Sequence, residues 1–341
     1  FFDIDMLKIG RNMQFKHLLL GTVFAFAAAC TAEPESVQPP SESIPSLDIV
    51  ATHAIFTSSA VSGVSFLDNE TAAWLGGILL ISQDGGLSIT DIEGENVMDI
   101  AQDVRAVAGL KSGLFLAAAT DGTLQTFLQK TDLTTIGSIS LSGNSEPVSD
   151  LCANPQAGNT KAIALGKAEE NSRTVSGLKF DAVPTSSAIA EYTVKDKFQV
   201  SSEAYACAAL GDDVYVLYHE GDGTLIKGLR EAVNNEALIN SKLNGLAAID
   251  IGGQDYLLSV SNGEVLLIDA PTLKPVRILK IGDGLSIQGL ETAKFVAATH
   301  ANYGGGAFNE GFITIGDADT QRLVFISRSY LAQQLSSVEA E

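Results

Sequence analysis

The residue whose setting most directly implies chemistry is Cys30, a thiol directly after Ala27, Ala28 and Ala29. Those small residues close an apolar run that begins at Leu18 and follows Lys16 and His17. The run is too short for a helix that must cross about 30 Å of hydrocarbon, which takes roughly 20 residues. A basic segment, a short apolar segment and small residues before a cleavage point make a secretory signal. The other thiols, Cys152 and Cys207, sit in apolar strand-like runs, which favours buried inner-strand residues over a bridge or a nucleophile. His53, His219 and His300 are separated by 166 and 81 residues, a spacing expected of surface or strand-end histidines rather than a metal site. Gly304-Gly305-Gly306 precedes no helix that offers its N-terminus to a phosphate, so it reads as a loop before a strand at Phe312. No Ser/His/Asp spacing points to a hydrolase triad.

The thiol after three alanines also resembles a bacterial lipoprotein lipobox, with Ala27 where that pattern prefers Leu. The resemblance implies acylation of Cys30 and anchoring in the bacterial envelope, at the outer membrane. Met13 opens the signal, which makes residues 1–12 an overextended gene start and residues 1–29 the signal peptide. Residues 30–47 are rich in Pro, Ser and Glu and cannot bury apolar surface, so they form a flexible tether.

The elements that must position any site follow from the remaining residues, 48–341. The 341-residue chain carries 41 acidic and 21 basic side chains, a formal charge of −20. That balance excludes nucleic acid as a partner, because phosphates must be neutralised by Lys and Arg. Three cysteines exclude a disulfide scaffold and a multi-cysteine zinc framework. Sustained helical periodicity is scarce. Short runs of Val, Ile, Leu, Phe and Tyr are instead separated by Asp84-Gly85-Gly86, Asp121-Gly122, Asp222-Gly223 and Asn262-Gly263. Such pairs supply the positive φ angles of tight β-turns.

A small residue followed by a short apolar strand recurs upstream of these turns. Markers at Gly63, Ala106, Asp150, Ala206, Gly245 and Gly289 are spaced by 43, 44, 56, 39 and 44 residues. A period of roughly 40–50 residues in an all-β chain is the signature of propeller blades. The expected fold is therefore an all-β, six-bladed β-propeller behind a lipoprotein signal peptide. The spare strand at 47–56 is expected to complete the last blade, and Trp74 to pack between blades.

Over residues 48–331 these segments resemble the β-propeller phytase family. The resemblance is carried by Ser82-Gln83-Asp84-Gly85-Gly86, Val148-Ser149-Asp150-Leu151-Cys152 and Ala204-Tyr205-Ala206-Cys207. Asn244-Gly245-Leu246, Gln288-Gly289-Leu290 and the closing Asn309-Glu310-Gly311-Phe312 extend it. Membership would imply phytate hydrolysis with several calcium ions held by channel carboxylates. Here the first paired acids fall on Val61 and Ser62, and later ones on Tyr205, Asn244 and Gln288. The phosphate-binding lysine falls on Gln83, and a family arginine falls near Gly122. Asp84 and Asp317 remain as candidate calcium ligands, with Lys167 near another family lysine.

Losing carboxylates and cations together leaves little with which to bind a polyphosphate on a chain of this charge. The expected function is a non-catalytic envelope lipoprotein that binds a small ligand or an envelope protein and meets the membrane through the lipid on Cys30. The alternative is a calcium-dependent 3-phytase-type phosphomonoesterase acting on myo-inositol hexakisphosphate. Cys30→Ser is expected to shift the protein from the membrane fraction to the soluble fraction. Equal retention of the substituted protein in washed membranes would reject acylation.

Overall fold

The computed structural model describes residues 43–339 except the short segments 70–71, 101–102, 111–112, 130–132, 141–147, 154–160, 167–173, 185–189, 202–203, 212–214, 220–222, 229–234 and 240–241. The signal segment, Cys30, Lys167 and Asp222 lie outside the described residues, as does the side chain of Trp74. A compact unit begins at Ser43. It opens with two short strands, β1 (Ser46–Val50) and β2 (His53–Phe56).

Six sheets follow in chain order. Sheet one holds β3 (Val61–Leu67), β4 (Gly77–Ser82), β5 (Leu87–Thr90) and β6 (Asn96–Ile100). Sheet two holds β7 (Val104–Gly109), β8 (Leu114–Ala119), β9 (Thr123–Gln129) and β10 (Leu133–Ser140). Sheet three holds β11 (Val148–Ala153), β12 (Lys161–Gly166), β13 (Thr174–Pro184) and β14 (Ala190–Ser201). Sheet four holds β15 (Ala204–Ala209), β16 (Tyr215–His219), β17 (Thr224–Lys227) and β18 (Asn235–Leu238). Sheet five is built on β19 (Asn244–Ile251), β20 (Gln254–Ser261), β21 (Glu264–Asp269) and β22 (Lys274–Gly282). Sheet six holds β23 (Ala293–Thr299), β24 (Phe312–Asp317), β25 (Arg322–Ser327) and, returning from the start of the chain, β2.

The first strand of each sheet touches the first strand of the next, and β23 touches β3, so the sheets close into a ring. This is a β-propeller arrangement. The expectation of a six-bladed propeller is corrected to five four-stranded blades and one five-stranded sheet, because β1 adds in parallel to β22. The spare strand therefore splits. Only β2 completes the last sheet, by antiparallel pairing from His53↔Phe325 to Phe56↔Arg322.

The turn residues act as their types dictate. Asn262 and Gly263 adopt φ of 51° and 83° between β20 and β21. The second strands read as continuous apolar runs because both of their faces are covered. Ile78, Leu79, Leu114, Phe115, Ile163 and Leu257 are wholly buried. Among the described residues, the core divides into six apolar clusters, one at each junction between successive sheets. At the junction of sheets one and two, Phe115 and Phe127 stack with centroids 4.9 Å apart. At the closing junction, Tyr303 of sheet six places its hydroxyl 2.9 Å from both Leu67 O and Gly77 O of sheet one.

Among the described residues one α-helix, α1 (Arg328–Glu339), continues from β25 in a chain whose sequence shows little sustained helical periodicity. Ser327 Oγ accepts the Tyr330 N–H at 3.4 Å at its start. Leu331 and Leu335, one turn apart, bury against the cluster shared by sheets five and six. Two buried leucines are too short a periodic signal to stand out in sequence.

Ring closure depends on β2 and on Ile55, buried at the junction of sheets six and one with Ile78, Leu80 and Phe325. Ile55→Ala is expected to cost about 2–4 kcal/mol and to lower one cooperative unfolding transition. Denaturant melts followed by circular dichroism and by tyrosine fluorescence test this. A separate early loss of sheet six would show that closure does not couple the sheets.

Candidate functional site

Each inner strand carries a β-bulge near its start. Pairing with the second strand slips at Ser62, Arg105, Ser149, Tyr205 and Lys294, and just after Asn244. A bulge places one unpaired residue against the partner strand and re-aims its side chain. Inner strands of successive sheets run in the same sense around the axis, so the six bulges fall at one mouth of the channel. All six residues line a cavity of about 530 Å³ at the ring centre. Ser62, Arg105, Ser149, Tyr205 and Asn244 are exposed, and Lys294 is half-buried.

The wall below this mouth consists largely of small residues, among them Ala106, Ala108, Ala153, Ala206, Ala247 and Ala298. Six converging strands leave little room for larger side chains. Gly109 shows the limit: a Cβ there would lie 1.6 Å from Phe66 O of the neighbouring inner strand. Its N–H instead bonds Ser65 Oγ at 2.9 Å, joining sheets one and two.

Hydrogen bonds sort the mouth residues into committed and uncommitted groups. Ser62 Oγ donates to Ile81 O and Ser82 O at 3.1 and 3.2 Å. Ser149 Oγ does the same in sheet three, to Leu165 O and Gly166 O at 3.2 and 3.3 Å. Both hydroxyl protons therefore serve the bulges themselves. Lys294 Nζ donates to Val61 O at 2.8 Å, spanning sheets six and one, and burial lowers its pKa. Among the described residues, no carboxylate pairs with Arg105 or Lys294, whereas Arg322 pairs with Asp317 and Arg328 with Asp250.

Between sheets three and four the mouth is tied covalently. Cys152 and Cys207 are buried on inner strands, as expected, but they form a disulfide with Cα atoms 5.9 Å apart. The expectation of two unlinked cysteines is corrected: adjacent inner strands bring together residues 55 apart in sequence. Asp150 reinforces the link, its Oδ2 accepting the Cys207 N–H at 3.0 Å and its Oδ1 the Leu151 N–H at 2.9 Å. Burial pushes the Asp150 carboxyl up to about 7, against the two N–H bonds that favour its anion.

The residues matched to the phytase site separate into three places. Ser62, Tyr205 and Asn244 meet at the mouth. Val61 stands beside it and contributes only its carbonyl, to Lys294. Gln83 and Asp84 lie in the exposed β4–β5 turn, outside the cavity lining. There the Ser82 hydroxyl and the Gly86 backbone hold the Asp84 carboxyl below its ordinary pKa. Gln288 and Asp317 lie outside the lining too, around Arg322. The guanidinium donates to Gln288 O at 2.9 Å, Gly289 O at 2.6 Å and Asp317 Oδ2 at 2.8 Å. Burial opposes ionisation of Asp317, yet bonds from Asp319, Thr320 and Arg322 keep its pKa low. The marker at Gly289 thus falls short of the last inner strand, because Leu290 still bridges Ile281 of sheet five.

Calcium takes roughly six to eight oxygen ligands, mostly carboxylate and carbonyl. At the mouth, the described residues supply Asp150 as the carboxylate, alongside two cations, so the donor set does not fit calcium. Among the described residues, Asp150, Cys152 and Cys207 form the one group of potential metal ligands within 4.8 Å of one another. The disulfide removes both of its thiolates. Arg105 and Lys294 carry the charge of the site, and sequence reading missed that role for both. Arg105 stands one residue before the second marker, at the offset that Ser62 has from the first. Lys294 was hidden by the early placement of the sixth marker.

No family model matches the chain, and no curated protein does. A solved structure described as BBS1N in complex with ARL6DN, soaked with mercury, is similar in fold. It aligns with a TM-score of 0.48 and 8% identity, over 78% of this chain and 77% of that one. The sheets themselves define this protein as a β-propeller.

Asp150 makes stability pH-dependent in a stated direction. Its folded pKa, about 7, lies above the ordinary carboxylate value, so the folded state keeps a proton the unfolded chain has released. That contribution falls as pH rises from about 4 through about 7 and is flat above. Asp150→Asn is expected to flatten this fall. Denaturant stabilities of both proteins at acid and neutral pH, compared as differences, check it. A difference that does not change with pH would place the Asp150 carboxyl in the ordinary range.

Proposed function

We propose that this chain is an exported, lipid-anchored β-propeller that binds a small ligand at the bulge-ringed mouth of its channel and hydrolyses no phosphate ester. The observation that carries the binding role is the 530 Å³ cavity, walled largely by small residues and ringed at one mouth by exposed polar side chains. Export is supported by the signal-like segment before Cys30 and by the buried Cys152–Cys207 disulfide. Such bonds persist in oxidising compartments, the bacterial periplasm among them.

Against hydrolysis stands the donor set. A bridging metal in phosphoryl chemistry neutralises ester oxygens and generates the attacking water. Arg105 and Lys294 occupy the rim where carboxylates would have to gather. The resemblance to β-propeller phytases is then one of scaffold, with Tyr205 and Asn244 offering hydrogen bonds in place of metal ligation.

The test measures melting temperature with millimolar calcium, with equal magnesium and with chelator, alongside phosphate release from phytate. A protein with intact calcium sites gains RT ln(1 + [L]/Kd), about 2.7 kcal/mol at a hundredfold excess over Kd. This protein is expected to show no calcium-specific rise and no turnover. A large calcium-specific rise with steady phosphate release would establish the calcium-dependent phosphatase instead.

A further inference from the structure

The mouth has a chemical polarity that narrows its ligand, and this inference rests on the binding role just proposed. Around the ring, sheets six, one and two contribute Lys294, Ser62 and Arg105, while sheets three, four and five contribute Ser149, Tyr205 and Asn244. The two cations therefore flank a single serine, on adjacent inner strands. Both serine hydroxyl protons are spent on strand carbonyls. The remaining donors are the Arg105 guanidinium, the protons Lys294 does not give to Val61 O, the Tyr205 hydroxyl and the Asn244 amide.

We propose that the channel mouth binds a small oxyanion-bearing ligand, its phosphate or carboxylate held between Arg105 and Lys294 and its neutral body directed toward Tyr205 and Asn244. A guanidinium presents a planar fork that matches either group in a bidentate pair, and an ammonium adds a point charge. Charge-assisted bonds of this kind are stronger than neutral ones, more so in a partly enclosed cavity. Asp150, the carboxylate at this mouth, has an oxygen on each of two backbone N–H groups and stands in sheet three, outside the cationic sector. Asp68 also lines the cavity, but it follows Leu67 at the opposite end of β3. The arrangement needs no metal.

Inorganic phosphate and succinate serve as probes, by calorimetry and by thermal shift, with sodium chloride at matched ionic strength and chelator present throughout. Saturable binding of either probe to the wild-type protein is expected, with a rise in melting temperature that chloride does not reproduce. Arg105→Gln and Lys294→Gln are each expected to weaken binding by about tenfold or more. Arg105 is exposed and without a partner among the described residues, so its variant should melt like the wild type without probe. Lys294→Gln also tests the Val61 contact, and a drop in its ligand-free melting temperature makes Arg105→Gln the deciding variant.

Absence of saturable binding, or binding that survives Arg105→Gln, overturns the oxyanion site. A neutral polyol probe separates that failure from failure of the binding role itself. If a polyol binds and Tyr205→Ala abolishes it while the anions do not bind, the mouth is a binding site for a different class of ligand. If neither class binds, both readings fall.

Discussion

Everything in this fold hangs on ring closure by β2. Six sheets arranged about an axis bury their apolar faces only against one another, so each of the six core clusters belongs to two sheets at once. An open arc would expose two such faces and two strand edges, which promote aggregation rather than folding. Pairing β2 with β25 lets residues from opposite ends of the chain complete one sheet, and Ile55 fills the closing cluster with residues of sheets six and one. Tyr303 adds a buried hydroxyl latch at the same junction. Closure is thus paired backbone and apolar contact together, and every inner strand takes its position from it.

The site is a by-product of the same geometry. Strands converging on an axis must carry small residues, which explains the alanine-rich wall and the contact that only glycine permits at 109. Small residues leave a cavity but offer it no chemistry. The bulges supply that, by turning one residue of five inner strands out of the ladder at the mouth, while in sheet five Asn244 stands just before the slip. Because the bulge is a backbone device, its side chain is free to vary: serine anchors it locally in two sheets, while arginine, tyrosine, asparagine and lysine face the opening elsewhere. Fold and chemistry are separable here at the level of single residues, as expected of a scaffold whose function lies in the site it carries.

Much of the architecture was legible because its signals are local. Asp-Gly and Asn-Gly turns, apolar second strands and a repeat near 44 residues need no tertiary information, and five of six markers fall on inner strands. What escaped was non-local. The parallel addition of β1 to β22 reflects an edge made available only after sheet five has formed. The Cys152–Cys207 bridge needs the spacing between neighbouring inner strands, which sequence separation does not report. Lys294 was missed because the segment at 288–290 mimics an inner strand while still bridged to sheet five. Resemblance had a similar limit: it selected Gln83, Asp84, Gln288 and Asp317 by motif, and these stand in a turn and around Arg322 rather than in the cavity lining. Asp317 holds the scaffold instead, fixed by its pair with Arg322.

A formal charge of −20 does not forbid an anion site. At ionic strengths near 0.1 M, charges more than about 10 Å apart are largely screened. The bulk acidity therefore governs solubility and long-range approach, and contact distance decides binding. Carboxylates that hold calcium attract phosphate only after the metal has reversed their sign. Arg105 and Lys294 place positive charge at the mouth directly. Fixed cations of this kind can hold an oxyanion but supply no metal-activated water with which to cleave its ester. Binding and catalysis, which a metal site couples, would be uncoupled at a mouth that works in this way.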